Sequence, residues 1–224
     1  MRQHERAGVQ GIFITFEGTE GGGKSTQIQL LAPRLRALSR RVCVLREPGG
    51  TPIGEEIRHT LKHSEANRAM TAEAELLLMN ASRAQLVREV IRPALAAGQI
   101  VLCDRFYDST IAYQGYGRGL DLARVQAVID FAVGDTRPDL TLLLEVPIAV
   151  SEARRSARKD GHDPLRDRLE EEDRAFFERV HLGFSALASA EPKRVQVIPA
   201  VGTVEEVSAR VWGVVEPRVA DLSR

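Results

Sequence analysis

The feature that most constrains this chain is a glycine-rich stretch at residues 18–25, Gly-Thr-Glu-Gly-Gly-Gly-Lys-Ser. It fits the pattern G-x-x-x-x-G-K-[ST] and lies between an apolar run, residues 11–16, and a helical pattern. Strand, glycine loop and helix in this order are typical of a phosphate-binding loop. Glycines let consecutive backbone N–H groups turn toward a polyphosphate, and the positive end of the helix points to the same place. The stretch therefore predicts a nucleoside triphosphate site, with Lys24 at the β and γ phosphates and Ser25 at Mg²⁺. The predicted ATP-binding residues are Gly18, Thr19, Glu20, Gly21, Gly22, Gly23, Lys24, Ser25 and Thr26.

Apolar runs rich in β-branched residues recur along the chain and alternate with helical patterns. The predicted strands are residues 11–16, 41–46, 100–103, 140–145 and 194–198. The predicted helices are residues 25–38, 53–61, 71–97, 122–133, 147–158, 169–190 and 204–219, with a bend near Pro93. This alternation predicts an α/β fold of the P-loop NTPase type: three layers, a five-stranded parallel sheet with helices on both faces, and a short mobile lid. We expect one domain at residues 11–220 after a disordered extension at residues 1–10.

The charge balance argues against a general nucleic-acid-binding protein. Lys plus Arg and Asp plus Glu number 31 each, so the net charge is near zero rather than basic. No apolar run approaches the roughly 18 residues of a membrane span, and residues 1–10 lack the apolar segment of a signal peptide. Cys43 and Cys103 lie in predicted strands, so we expect two buried free thiols in a cytoplasmic protein.

Ligands of parallel sheets bind at the carboxyl ends of the strands. Asp104 follows the third predicted strand, where a carboxylate can hold Mg²⁺ opposite Ser25. The neighbouring Arg105 suits a bidentate contact with phosphate. Residues 46–51 form a rigid, glycine-bearing turn after the second strand. Residues 108–119 are polar and aromatic and then glycine-rich; they could read the edge of a base, or could simply be a helix that ends in a loop.

Basic residues cluster late in the chain. Arg154, Arg155, Arg158 and Lys159 precede Asp-Gly-His-Asp-Pro at 160–164, and Arg166 and Arg168 follow. A turn flanked by arginines suggests a lid, at about residues 154–168, that closes over transferring phosphates and brings an arginine to the transition-state charge. A solvated, charged helix would give the same pattern.

Together these motifs resemble the bacterial thymidylate kinases. The resemblance rests on residues 17–25, Arg-Glu-Pro-Gly-Gly-Thr at 46–51, Ala-Ser-Arg at 81–83, Asp-Arg at 104–105, the run at 109–119 and Asp-Arg-Leu-Glu at 167–170. It extends from about residue 12 to residue 219. It implies transfer of the γ-phosphoryl group of ATP to dTMP, giving dTDP and ADP, with Mg²⁺ as cofactor, by a homodimer.

The resemblance also assigns roles to single residues. Arg83 and Gln114 are expected at the thymine, Glu20 near the 3′ side of the sugar, and Arg105 at the acceptor phosphate. Because the loop has no arginine of its own, the lid is expected to supply one. The predicted catalytic residues are Lys24, Arg105, Arg154 and Arg158. The predicted dTMP-binding residues are Glu20, Arg46, Pro48, Met79, Arg83, Arg105, Ser109 and Gln114, and the predicted metal ligands are Ser25 and Asp104.

The chain departs from the family pattern at three places. Met79 stands where a phenylalanine usually stacks on thymine, Ile-Pro-Ala replaces Ile-Asp-Ala at 198–200, and the lid has extra residues around 161–164. Met79 keeps open a broader nucleoside monophosphate kinase or a deoxynucleoside kinase. The latter would need a base, such as Glu20 or Glu47, whereas a phosphate monoester is already anionic and needs none. A non-catalytic nucleotide switch is a third alternative, against which the acceptor motifs argue.

Overall fold

A computed structural model describes residues 11–159 and 168–220. Within these ranges five strands form one parallel sheet in the order β2-β3-β1-β4-β5. The strands are β1 (Ile12–Glu17), β2 (Val42–Arg46), β3 (Ile100–Asp104), β4 (Leu140–Glu145) and β5 (Val195–Pro199). The predicted fold class is confirmed, and each predicted strand lies within one residue of its observed bounds. Residues 1–10, the predicted extension, and residues 160–167 of the predicted lid lie outside the described residues.

The described ranges contain nine α-helices. They are α1 (Lys24–Ala37), α2 (Pro52–Lys62), α3 (Ala72–Leu86), α4 (Arg92–Ala96), α5 (Tyr107–Thr110), α6 (Leu122–Val133), α7 (Ile148–Lys159), α8 (Arg174–Ala190) and α9 (Val204–Ala220). No helix in the described part of the chain is both long and apolar enough to cross a membrane.

Alternating side chains of the central strand divide the core into two layers. Ile12, Ile14 and Phe16 pack with buried residues of α1 and α9 on one face of the sheet. Phe13 packs with buried residues of α3 and α6 on the other face. The helices therefore cover both faces, as the continuous apolar strands predict. Cys103 is buried as predicted, but Cys43 is only partly buried because β2 is an edge strand; both are free thiols.

The strand register sets where the site lies. Phe16 of β1 and Arg46 of β2 both pair with Asp104 of β3. The three strands therefore end at the same edge of the sheet, and the loops that follow them meet there. In the described ranges, the residues predicted to follow these strands are thus brought to one crevice.

Three helix predictions need correction. The helical stretch at 72–96 is interrupted by a wide π-helical turn at Val87–Ile91, because Pro93 has no N–H for the usual backbone bond. Helix α8 begins at Arg174, where the Asp173 carboxylate caps it, and a separate short 3₁₀ turn covers Arg168–Glu171.

The third correction concerns residues 107–117, which none of the predicted helices covers. They form α5 and a π-helical stretch, Ile111–Gly117. The glycines that suggest a loop instead permit close packing, since a Cβ on Gly117 would lie 2.7 Å from the Phe176 ring of α8. This helical stretch carries several side chains of the candidate site.

Candidate active site

The glycine-rich loop joins the buried end of β1 to the start of α1. Gly18, Gly21 and Gly23 have positive φ values of 125°, 79° and 86°. These are backbone conformations that glycine adopts without strain. A Cβ on Gly18 would also lie 2.4 Å from the carbonyl oxygen of Leu144. The loop therefore has the strand, nest and helix geometry that suits a polyphosphate.

Lys24 is buried and turned into the loop. Its Nζ donates to the carbonyl oxygens of Gly18 at 3.0 Å and Thr19 at 2.9 Å. Burial lowers the pKa of Lys24 to about 8, and the nearby Arg105 guanidinium adds to this shift. The ammonium group is held at the point where the loop closes, so it is positioned for anionic oxygens inside the loop.

Ser25 and Asp104 meet across the carboxyl ends of β1 and β3. The Ser25 hydroxyl donates to Asp104 Oδ2 at 2.5 Å. A hydroxyl and one carboxylate are oxygen donors of the kind that Mg²⁺ takes alongside substrate phosphates and water. Among the described residues no group of three or more His, Cys, Asp or Glu side chains could hold a metal by itself. The pair thus fits a magnesium ion shared with a nucleotide, not a metal held by the protein alone.

Arg105 links the loop to the neighbouring cavity. Its Nη1 donates to the Gly18 carbonyl at 3.0 Å and to Ser109 Oγ at 2.9 Å. Its Nη2 donates to Glu20 Oε1 at 2.6 Å, and Tyr113 donates to the other oxygen of Glu20 at 2.6 Å. Although burial opposes ionisation, the Arg105 and Lys24 cations lower the pKa of Glu20 to about 2. An ionised Glu20 and a charged Arg105 therefore form a fixed pair at the mouth of the loop.

An open cavity with about 430 Å³ of empty space lies beside this pair. Seven predicted acceptor-site residues line it: Glu20, Pro48, Met79, Arg83, Arg105, Ser109 and Gln114. The eighth, Arg46, does not line it. Its half-exposed guanidinium pairs with Glu55 at 2.7 Å, and Glu55 in turn accepts the N–H of Gly50 at 2.8 Å. The Arg46–Glu55 pair therefore holds the turn after β2 and keeps the Arg46 guanidinium at the surface.

Arg83 forms a buried ion pair on one wall of the cavity. Its Nε donates to Glu47 Oε2 at 2.8 Å and its Nη1 to Asn80 Oδ1 at 2.9 Å. Burial raises the pKa of Glu47 to about 7, against the pull of Arg83. The second oxygen, Glu47 Oε1, has no hydrogen-bond partner. Arg83 is thus fixed in place by Glu47, which the sequence indicated only as a candidate base.

Gln114 reaches the cavity from the π-helical stretch, but its amide nitrogen is already committed. It donates to Glu75 Oε1 at 2.7 Å. Glu75 is fully buried and also accepts from Arg118 and Arg168. Although burial opposes ionisation, hydrogen bonds from Arg118 and Gln114 hold the pKa of Glu75 below its usual range. Glu75 therefore joins the cavity wall to Arg168, the first described residue after the gap at 160–167.

Arg154 lies on α7 and contacts the loop backbone. Its guanidinium donates to the carbonyl oxygen of Gly21 at 2.9 Å and more weakly to that of Ala200. Ser151, one turn earlier, donates to the Glu20 carbonyl at 2.7 Å. The side chain of Arg158 lies outside the described part of the chain. Of the two predicted lid arginines, the structure thus places Arg154 against the donor loop.

Comparison with known proteins identifies the family. The family model described as thymidylate kinase matches residues 16–211. The chain belongs to the thymidylate kinase family. It is 51% identical over 93% of its length to a thymidylate kinase of Synechococcus sp. (strain JA-2-3B'a(2-13)), of which it covers 96%. It is 50% identical over 90% of its length to that of Syntrophotalea carbinolica, of which it covers 93%.

A solved structure supports the same assignment. The crystal structure of thymidylate kinase from Ehrlichia chaffeensis is 34% identical, with a TM-score of 0.73, and the match covers 92% of this chain and 99% of that one. The resemblance inferred from the motifs is therefore confirmed at the level of the family and the fold.

The cavity of this thymidylate kinase family member has six lining residues outside the predicted acceptor set: Glu47, Lys62, Phe106, Thr110, Tyr113 and Leu169. Thr110, Tyr113 and Glu47 lie within motifs that the sequence shows. In a helix that extends over residues 107–117, the side chains at 106, 109, 110, 113 and 114 share one face, and this pattern would have identified Thr110 and Tyr113. Leu169 also lies within a quoted motif, at 167–170, but nothing in the local sequence indicates Lys62.

Proposed function

We propose that this protein transfers the γ-phosphoryl group of ATP to dTMP and releases dTDP and ADP. The observation that carries the proposal is the position of Arg105, which bonds to the Gly18 carbonyl of the phosphate loop while lining the adjacent cavity. A donor site and an acceptor site thus share one cation. Membership of the thymidylate kinase family supports dTMP as the acceptor.

On the donor side, the loop N–H groups and Lys24 bind the triphosphate and stabilise the charge that develops on the transferring group. Ser25 and Asp104 would hold Mg²⁺, which neutralises phosphate charge when it is bound. Arg154, held against Gly21, and Arg158 are proposed to supply the remaining positive charge. The donor side thus contributes positioning and charge, and no covalent intermediate is needed.

On the acceptor side, the monophosphate is proposed to meet Arg105 while its base enters the cavity between Met79 and Arg83. Glu20 faces the sugar, and Ser109, Pro48 and Gln114 complete the wall, with Arg46 acting through the turn that it holds. Because Arg105 pairs with Glu20 at 2.6 Å, the incoming phosphate competes with this carboxylate for the guanidinium. The monoester oxygen is already anionic, so the transfer requires no general base.

This geometry disfavours a deoxynucleoside kinase, which must deprotonate a neutral hydroxyl. Glu20 is a weak base, since its pKa is lowered to about 2. Arg83 holds one oxygen of Glu47, and the thymidylate kinase relatives favour a monophosphate over a neutral hydroxyl as acceptor. A nucleotide switch would have no use for the cavity beside the loop. A broader monophosphate kinase is the alternative that Met79 leaves open, because a flexible thioether constrains the base plane less than an aromatic ring.

A coupled assay of ADP release tests the proposal. Purified protein with ATP and Mg²⁺ is given dTMP, dUMP, dCMP, dGMP or thymidine in parallel, and EDTA is added in a control. We expect turnover with dTMP, weaker turnover with dUMP, little with dCMP, dGMP or thymidine, and none after EDTA. Equal rates with several monophosphates would support the broader kinase, and ATP binding without turnover would support the switch.

We also propose that the protein is a homodimer joined through α2, α3 and α6. These helices are neighbours, and each exposes an apolar side chain: Ile53 at 52%, Leu77 at 58% and Phe131 at 86%. Light scattering after gel filtration should give the mass of a dimer, and Phe131→Asp should give a monomer. The matched control Leu182→Asp, at an exposed position of α8, should leave the dimer intact. The free thiols Cys43 and Cys103 are consistent with a reducing compartment, and we propose the cytoplasm.

A further inference from the structure

Glu17 ends β1 one residue before the phosphate loop, and it has no place in the phosphate-binding pattern. Its side chain is fully buried, with both oxygens occupied. Oε1 accepts the backbone N–H of Phe106 at 2.7 Å, and Oε2 accepts the hydroxyl of Ser109. Both partners lie on the segment that follows β3. Glu17 therefore ties the end of the central strand to the segment that carries Arg105.

The bond to Ser109 extends this tie to the side chain of Arg105. A guanidinium can only donate, so Ser109 Oγ accepts Nη1 of Arg105 at 2.9 Å while the same hydroxyl bonds to Glu17. The Ser109 hydroxyl is thus held between the buried Glu17 carboxyl group and the guanidinium.

The backbone conformation of Arg105 also depends on Glu17, through the Phe106 N–H. Its φ is 69°, in the left-handed region. A residue other than glycine held there costs about 1–3 kcal/mol and persists only where its surroundings fix it. The N–H of Arg105 donates to the Phe16 carbonyl at 2.9 Å, and the next N–H, that of Phe106, goes to Glu17. Two consecutive N–H groups are therefore held by two consecutive residues of β1.

We propose that Glu17 is a positioning residue for the acceptor phosphate. It holds the backbone turn at Arg105 through Phe106 N–H and aims the guanidinium through Ser109, so that Arg105 meets the phosphate of the monophosphate substrate. This inference rests on the proposed function, because it takes a monophosphate as the ligand of Arg105. Glu17 itself touches neither substrate.

The test uses Glu17→Ala and Ser109→Ala in the full chain, with steady-state kinetics for both substrates. Alanine at position 17 leaves the Phe106 N–H and the Ser109 hydroxyl without their shared partner. We expect the KM for dTMP to rise about tenfold in either variant, the loss of one charged-group hydrogen bond. The KM for ATP should stay within about twofold of the wild-type value. The KM for dTMP of the double variant should be no higher than that of the more strongly affected single variant.

A matched control is Asp139→Asn, which weakens a carboxylate bond to a backbone N–H at the other end of β1, that of Phe13. It should leave both KM values unchanged. Calorimetric titration with dTMP gives a second readout that needs no turnover. If Glu17→Ala does not fold, Ser109→Ala still tests the contact through which Glu17 reaches Arg105. An unchanged KM for dTMP in folded Ser109→Ala, or an equal rise in both KM values, would overturn the proposal.

Wild-type turnover separates this inference from the function on which it rests. If the wild-type protein does not phosphorylate dTMP, the proposed function fails before any variant is compared. If it does, the ratio of variant to wild-type KM tests Glu17 alone. Additive losses in the double variant would show that Glu17 and Ser109 act independently, which contradicts the proposal.

Discussion

The donor loop and the acceptor cavity are built in different ways. The loop consists of eight consecutive residues, 18–25, whose shape comes from glycine backbone angles and the start of one helix. The cavity is assembled from α2, α3, α5, the π-helical stretch and the segments that follow β2 and β3, and two of its arginines are fixed by carboxylates far away in sequence. Arg83 is held by Glu47 and Arg105 by Glu20. A binding site built from consecutive backbone groups can be recognised in a short motif. A binding site built from side chains depends on which elements the fold brings together.

The difference extends to electrostatics. Glu17 and Glu20 lie three residues apart on either side of Gly18, and both are buried. Burial and the nearby Asp108 carboxylate raise the pKa of Glu17 to about 8. Glu20 meets burial too, yet the Arg105 and Lys24 cations lower its pKa to about 2. Position relative to arginine, more than burial, decides which glutamate is charged at neutral pH.

The largest expected effect is on the acceptor side, at Glu75, whose buried carboxylate accepts from Gln114, Arg118 and Arg168. Glu75→Ala would leave Arg118 and Arg168 without their shared buried carboxylate. We expect the free energy of unfolding in urea to fall by about 3–5 kcal/mol, as for other broken buried ion pairs. The control Glu172→Ala removes a more exposed partner of Arg118 and should cost less than about 1 kcal/mol. Equal costs would mean that burial of Glu75 adds nothing.

On the donor side, Lys24→Ala should lower kcat by about 10²–10³ because it removes charge stabilisation of the transferring phosphate. Its thermal unfolding should stay close to that of the wild-type protein, since the residue is buried with a lowered pKa and its removal relieves desolvation. Initial rates at saturating substrates and a melting curve check both statements. A kcat that stays within threefold would show that the lysine contacts in the loop are structural only.

The stability that the Glu20–Arg105 ion pair contributes should depend on pH. Because the folded-state pKa of Glu20, about 2, lies below the ordinary value of 4.5, its ionisation stabilises the folded protein above pH 4.5. That contribution is lost as the pH falls toward 2. The stability difference between wild type and Glu20→Gln should therefore shrink by about 1 kcal/mol between pH 6 and pH 3.5. Urea unfolding at the two pH values measures it, and a constant difference would mean that Arg105 does not favour the ionised form.

Arg105→Ala separates the two sides directly. We expect the KM for dTMP to rise about 10- to 100-fold, the range of one or two hydrogen bonds to a charged group. Binding of ATP, measured by calorimetry, should change little, since the Gly18 carbonyl keeps its bond from Lys24. Equal losses of ATP and dTMP affinity would assign Arg105 to the donor site instead.

These contrasts explain how far the sequence could predict the structure. Alternating apolar runs predicted the strands of the described sheet and its fold class, because buried parallel strands need continuous apolar side chains. At 107–117 a helix that ends in a loop was only one of two interpretations, since Gly115 and Gly117 suggest a loop until Leu122 and Phe176 are known to pack on them. Local propensity was overridden by tertiary packing at this point.

The site residues divide in the same way, into those of the loop and those that distant side chains hold in place. Residues of the loop and Asp104 follow from spacing alone, because they are adjacent in the chain or end a strand. Glu47 and Glu75 hold arginines that are 36 to 93 residues away, and Glu17 holds the Phe106 N–H, 89 residues away. No short pattern encodes such pairs, so their roles emerge only from the folded chain. Arg46 was assigned to dTMP from resemblance, but in the structure Glu55 holds it outside the cavity.

The smallest expected effect is at Met79, the one cavity position where a residue of the usual family type can be restored. Met79 is nearly buried and lines the cavity. Met79→Phe would provide an aromatic face for the pyrimidine, and stacking of this kind contributes about 0.5–1 kcal/mol. We expect the KM for dTMP to fall about two- to fivefold while the KM for ATP stays constant, measured by initial rates. The matched control Met79→Leu keeps the volume without the ring and should leave the KM for dTMP within twofold. A higher KM in the phenylalanine variant would mean that the cavity is shaped around the thioether and that the ring excludes the base.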